Sequence, residues 1–200
     1  MTGNAMIYRN GRAMRADRYE MRRVYPTSLP AAHTNTGKFR LDAYSGDKLM
    51  FGMSFDGEQM YDPNGPMSPD RAAELAASSF GFSAVRFALT EGFSLQRQAD
   101  DQVEGYASHF IQVTDPAGGK TLVGIDAENM LILYVGWNTP RGWHHRVYSK
   151  YYRLDSGFMQ PGRVRLYYDG IKTADINWTN AELNVELPDD GFRLGPDQAN

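Results

Sequence analysis

The residues best suited to chemistry gather around His144 and His145, which stand side by side with Arg141, Trp143 and Arg146 after a turn at Asn138-Thr139-Pro140-Arg141-Gly142. An imidazole titrates near neutral pH, so either ring would serve as acid or base if a carboxylate such as Asp126 or Asp175 oriented it. Adjacent strand residues point to opposite faces, so the two rings do not readily ligate one metal together. A polar strand start with one ring outward and one partly buried accounts for the pair without catalysis. His33 falls in a loop and His109 in a strand, each alone. Ser-His-Asp chemistry has no G-x-S-x-G elbow to support it. Gly118-Gly119-Lys120-Thr121 ends like a phosphate loop, but the first glycine is misplaced and a strand follows, which rejects a nucleotide site. Asp100-Asp101 lacks the ligand ladder of a calcium loop. Asn177-Trp178-Thr179 fits a glycosylation triplet but lies inside a predicted strand. No catalytic residue, metal site or cofactor is assigned.

The apolar residues point elsewhere. Twelve Tyr, ten Phe, three Trp and ten Met exceed what a small core needs, and many fall on alternating strand positions. Phe80, Phe82 and Phe87 from a helical stretch form an expected lid face, and Trp137, Trp143 and Trp178 an expected wall. Met50, Tyr134, Phe158 and Tyr168 extend the same set. Methionine adapts to variable apolar shapes, which suits a pocket for a hydrophobic small molecule or lipid. Arg141 stands at the expected rim, where it would meet a head group or carboxylate. The plain alternative is that these side chains fill the sheet solid.

The elements that must position them are mostly strands. The one convincing helix runs from Ser68 to Leu89: Ser68 is placed as N-cap, Pro69 occupies the first helical position, and Asp70 lies beside the positive end of the dipole. Ala72, Ala76, Ser79, Phe80, Ser83 and Phe87 share a face, and Gly81 is expected to kink or divide the helix. Strands are expected over 5–25 as a hairpin about Asn10-Gly11, then over 39–44, 49–54, 59–61, 93–98, 106–114, 120–125, 130–137, 143–154, 163–169 and 171–183. Residues 26–35 read as a loop. Six arginines between 9 and 23 could attract an anionic surface or partner, but more often such a stretch is the solvated face of an outer strand. Gly162-Arg163-Val164-Arg165 puts two arginines on one face with no partner apparent in the sequence. Residues from Leu187 on, with two prolines and several acids, read as a tail.

Two hundred residues without a linker or composition shift indicate one domain, over 1–192, followed by a flexible tail at 193–200. A net charge of −3 argues against a general nucleic-acid binder. Cysteine is absent, which removes disulfides and thiolate chemistry. No apolar run approaches the roughly 20 residues of a transmembrane segment. Short turns make the strands antiparallel neighbours, and a twelve-residue strand reaches about 40 Å, as in a twisted, curled sheet. The fold class is mainly β (α+β): a curled antiparallel sheet or half-open barrel of about ten or eleven strands around one kinked helix.

This order of elements, with Phe110-Ile111-Gln112-Val113-Thr114-Asp115, Ile125-Asp126 and the long closing strands, resembles the periplasmic lipoprotein-carrier (LolA-like) superfamily. The run from Gly157 to Ile176 resembles bacterial proteins of unassigned function placed near it. The resemblance implies an unclosed barrel with helices over a hydrophobic cavity, a lipid, acyl chain or lipoprotein as ligand, an envelope protein as a second candidate partner, and no enzymatic activity. It implies a periplasmic or envelope location after removal of a targeting segment; a native Met1 would imply the cytoplasm. No single arginine here matches the carriers' lid-locking arginine. The rival expectations are a protein-interaction or sensor module without a cavity, and a hydrolase or isomerase using His144 or His145.

Overall fold

The computed structural model describes residues 1–25, 37–79 and 81–195, apart from the side chains of 77–79, 81–83 and 189. The expected loop 26–35 with His33, and the lid residue Phe80, lie outside the described residues, as does the side chain of Phe82. Fourteen antiparallel strands form one sheet. They are β1 (Thr2–Arg9), β2 (Arg12–Val24), β3 (Lys38–Ser45), β4 (Lys48–Phe55), β5 (Met60–Asp62), β6 (Gly65–Pro66), β7 (Ser94–Arg97), β8 (Asp101–Val103), β9 (Tyr106–Thr114), β10 (Lys120–Asp126), β11 (Ile132–Thr139), β12 (Gly142–Arg153), β13 (Met159–Tyr168) and β14 (Ile171–Asn180). Between β6 and β7 run the helices α1 (Pro69–Ser79) and α2 (Gly81–Phe87). The sheet is curled and not closed, as the strand pattern led one to expect; each of the twelve segments named from the sequence is a strand, and β6 and β8, of two and three residues and too short to read in sequence, bring the count above the expected ten or eleven to fourteen.

The strand order, β6-β5-β4-β3-β2-β1-β14-β13-β12-β11-β10-β9-β7, explains the shape. The chain starts at the centre, meanders to one edge, crosses by the helices to the other edge, and meanders back until β14 pairs with β1. A connection joining the two edges of a curled sheet lies across its concave face. Accordingly, α1 packs Ala72, Leu75 and Ala76 against Phe39, Met60 and Met67 at one end. At the other end α2 packs Ala84 and Val85 against Val113 and Val123. The helix start at Pro69 matches the capping signal; the expected kink or division at Gly81 adjoins Phe80, outside the described residues.

Two expectations are corrected. The arginine-rich hairpin β1–β2 is central, not an outer strand, because β1 takes β14 as its second neighbour. Its charges are spread by alternation: Arg18 and Arg22 meet Glu20 on one face, whereas Tyr19, Met21 and Arg23 line the other. The segment after Leu187 is not a loose tail as far as residue 195. A short turn of 3-10 helix, Asp189–Phe192, carries Phe192 and Leu194 into the convex side of β3–β4, where they are 1% and 2% exposed. Gly52 makes the room: a Cβ there would come within 2.6 Å of the Leu194 Cδ2. Arg193 Nε lies 3.1 Å from the Asp56 carboxylate, and Arg40 donates to the Gly191 carbonyl at 3.4 Å.

Candidate functional site

The central strands leave a cavity of about 210 Å³ on the concave face. Alternation puts Tyr19 and Met21 of β2, Leu41 of β3, Val164 and Leu166 of β13, and Ile176 and Trp178 of β14 on its walls. Met53 and Phe39 close it on the α1 side, and Phe158 stands at its opening. Tyr19 and Trp178 pack with ring centroids 5.4 Å apart at the back. A second space of about 540 Å³ shares Met1, Met21, Arg23, Tyr25, Phe158 and Gln160 with the first, and Leu183, Val185 and Leu187 form its outer wall. Together they make an apolar chamber with a wider, more polar vestibule, on the scale of roughly 300–1,000 Å³ typical of ligand sites.

Polar groups are few and ordered. His144 is 1% exposed. Its Nδ1 lies 2.9 Å from the Tyr167 carbonyl, so that nitrogen carries the proton, and its Nε2 accepts from Arg146 Nε at 3.2 Å. Burial, reinforced by the Arg146 charge and opposed by the Tyr167 hydrogen bond, pushes the His144 pKa down to about 3, so the ring is neutral. The Arg146 guanidinium rests 5.3 Å from the Trp137 ring centroid; burial raises the Tyr148 pKa to about 12 against the effect of Arg146. Arg23 stacks over Tyr25, which also receives Arg86 at 4.6 Å. Burial holds the Arg23 pKa below its ordinary value, and Arg146 adds to the depression.

The expected site residues are divided by this geometry. Trp178 lines the cavity. Trp137 is on the same face but buried behind it, edge-on to His144 with centroids 4.6 Å apart. Phe87 is buried where α2 meets the sheet, outside the cavity lining. Trp143 is on the convex face, because it shares strand parity with His145 and not with His144. There it donates from Nε1 to the Tyr134 hydroxyl at 2.9 Å, over Gly136. Tyr134, His145 and Tyr167 continue as a ring stack on that outer side, with Phe110 edge-on to Tyr134. Arg141 packs over Tyr168 and lies 4.0 Å from Glu74 of α1, tying the β11–β12 hairpin to the helix. Of the wider set, Phe158 is at the opening and Tyr134 is outside.

The acids proposed to orient a histidine are otherwise engaged. Asp126 accepts the backbone N–H groups of Glu128 and Asn129, which hold its pKa low. Asp175 accepts two bonds from Arg163, at 2.8 and 2.7 Å, and that pairing keeps it ionised. Arg165 pairs with Glu104, so both arginines of the Gly162–Arg165 run have carboxylates on the convex face. His109 lies 3.2 Å from Asp100 on the surface, beside Arg97. Among the described residues no group of three His, Asp or Glu converges on a common point. Sequence reasoning missed Tyr19, Met21, Leu41, Arg23 and Arg146 as lining residues; the parity of β2, with 19, 21 and 23 on one face, was the signal available.

In sequence, no known family and no curated protein matches the chain. Solved structures do. A putative outer membrane lipoprotein-sorting protein domain from Vibrio parahaemolyticus aligns over 96% of this chain and 88% of its own, at 11% identity and TM-score 0.50. A LolA superfamily protein from Nitrosomonas europaea aligns over the same shares at 12% identity and TM-score 0.56.

The chain has a LolA-like fold.

A DUF1329 family protein from Desulfovibrio piger ATCC 29098 shares it, with 96% and 88% covered, 14% identity and TM-score 0.55. At these identities the likeness concerns the fold. Within this LolA-like fold the chamber occupies the concave face between the two helix contacts. No helix among the described residues is long and apolar enough to cross a membrane.

Proposed function

We propose that the protein binds or carries a hydrophobic ligand, an acyl chain or lipid, in the concave chamber, without catalysing a reaction, and works in the bacterial cell envelope. The observation that carries this reading is the chamber itself. Methionine, leucine, isoleucine and aromatic side chains from strands β2, β3, β4, β13 and β14 face a space that the protein's own described side chains leave open. Each methylene group of a ligand buried there contributes about 0.8 kcal/mol. The envelope assignment is supported by fold likeness to a protein described as an outer membrane lipoprotein-sorting domain. His144 supports binding over acid–base chemistry, since both of its ring nitrogens are used internally.

The test is displacement of a fluorescent fatty-acid probe from protein purified without detergent. Saturable binding is expected. Leu41→Trp, which adds an indole to the chamber wall, is expected to weaken it about tenfold or more while thermal melting stays cooperative. Wild-type protein that shows no saturable binding contradicts the proposal.

A further inference from the structure

We infer that the chamber selects an acyl chain bearing an anionic head group, a carboxylate or a phosphate ester, and that the guanidinium groups of Arg23 and Arg146 hold that head; the inference rests on the reading of the chamber as an acyl-chain site. The first observation is a local reversal of charge. The protein has a net charge of −3, yet the chamber lining contains Arg23 and Arg146 and no Asp or Glu. The vestibule adds Arg22 and Arg86 against a single carboxylate, Glu182.

The second observation is a contrast between faces. The arginines that are comparably buried on the convex side are all matched: Arg40 with Asp42 at 2.7 Å, Arg163 with Asp175 at 2.7 Å, and Arg165 with Glu104. Arg23 and Arg146 form no ion pair with any described carboxylate, and the Arg23 Nε is buried without a hydrogen-bond partner. A cation withdrawn from water without an anion is costly, and two near each other cost more. An incoming anion relieves both, through short charge-assisted bonds to two guanidinium forks.

The third observation is preorganisation. The neutral ring of His144 accepts from Arg146 Nε, and Trp137 supports the guanidinium plane. Tyr25 supports Arg23 from the side. Both heads thus have defined neighbours between the apolar floor and the vestibule. An amphiphile would lie with its tail against Leu41, Val164 and Ile176 and its head at the two arginines.

The experiment is calorimetric titration of the full chain with decanoate, decyl phosphate, decanol and inorganic phosphate. At least one of the two anionic amphiphiles is expected to bind about tenfold or more tightly than decanol, the preference that one charge-assisted bond supplies. Which of the two binds more tightly identifies the head. Inorganic phosphate alone is expected to bind far more weakly than either. Arg23→Gln and Arg146→Gln are each expected to bring the anion-to-alcohol ratio towards one, with Arg146→Lys retaining part of the ratio. Should the glutamine variants fail to fold, the wild-type series decides alone. Equal affinity for all three ten-carbon ligands overturns the head-group inference and leaves the acyl site standing. Inorganic phosphate binding as tightly as decyl phosphate overturns it as well. Failure of every ten-carbon ligand to bind overturns both the inference and the proposed function.

Discussion

Lowering the pH from 7 to 5 tests the placement of His144 quantitatively. The ring is neutral in the fold because it is buried beside Arg146, with its pKa pushed down to about 3 from an ordinary 6.5. Between those values the unfolded chain binds a proton that the folded chain does not, so stability falls as the pH falls through this window. At pH 5 the unfolded imidazole lies about 1.5 pH units below its pKa, which corresponds to about 2 kcal/mol of lost stability. The figure does not depend on the folded value as long as that value stays well below 5. Urea unfolding of wild type and His144→Gln at pH 7 and pH 5 measures it. His145, whose pKa burial also lowers, contributes equally to both proteins and cancels. The expected difference between their pH dependences is about 2 kcal/mol. Identical dependences would refute the burial of a neutral His144 ring beside the Arg146 charge.

Asp175→Ala leaves Arg163 without the carboxylate that receives two of its N–H groups; a loss of about 3 kcal/mol in chemical denaturation is expected, at the lower end for a broken buried pair because Arg163 is one-third exposed. Leu194→Ala empties a site that is 2% exposed against Gly52, and a loss of about 2–3 kcal/mol is expected by urea unfolding. A change under about 0.5 kcal/mol would show that the C-terminal segment is not docked.

Local signals were legible where a few adjacent residues decide the outcome. Asn10-Gly11 and Asp169-Gly170 take the positive φ values of tight hairpin turns, 50° and 73°, 45° and 78°. Pro69 starts its helix at the position its chemistry favours. Long-range pairings were not legible. The centrality of β1–β2 depends on a seam with β14 more than 160 residues away, Ile7 opposite Ala174. The partners of Arg163 and Arg165 depend on which convex neighbours the sheet brings up: Asp175 across the next strand and Glu104 from the β8–β9 turn. Phe192 and Leu194 sit among prolines and acids with no apolar run to mark them, and the place of Leu194 depends on the space left by Gly52, far away in sequence. The candidate site was half legible. Aromatic and methionine content pointed to a cavity, and Trp178 lines it. The face of Trp143 follows from a register of one residue, and a slip of one inverts every side chain. Arg23 was hidden among six neighbouring arginines whose other members face solvent or the opposite side.

The tryptophans give the most direct test of an acyl chain in the concave chamber, because Trp178 lines it and Trp143 lies on the opposite face of the sheet. A fatty acid brominated near the middle of its chain quenches indole fluorescence only at short range. Titrated into Trp143→Phe and Trp178→Phe proteins, it is expected to quench the first at least as fully as wild type and the second less, through Trp137, the concave indole that remains behind the chamber. Quenching that persists in Trp178→Phe and disappears in Trp143→Phe would place the ligand on the convex face and contradict the account.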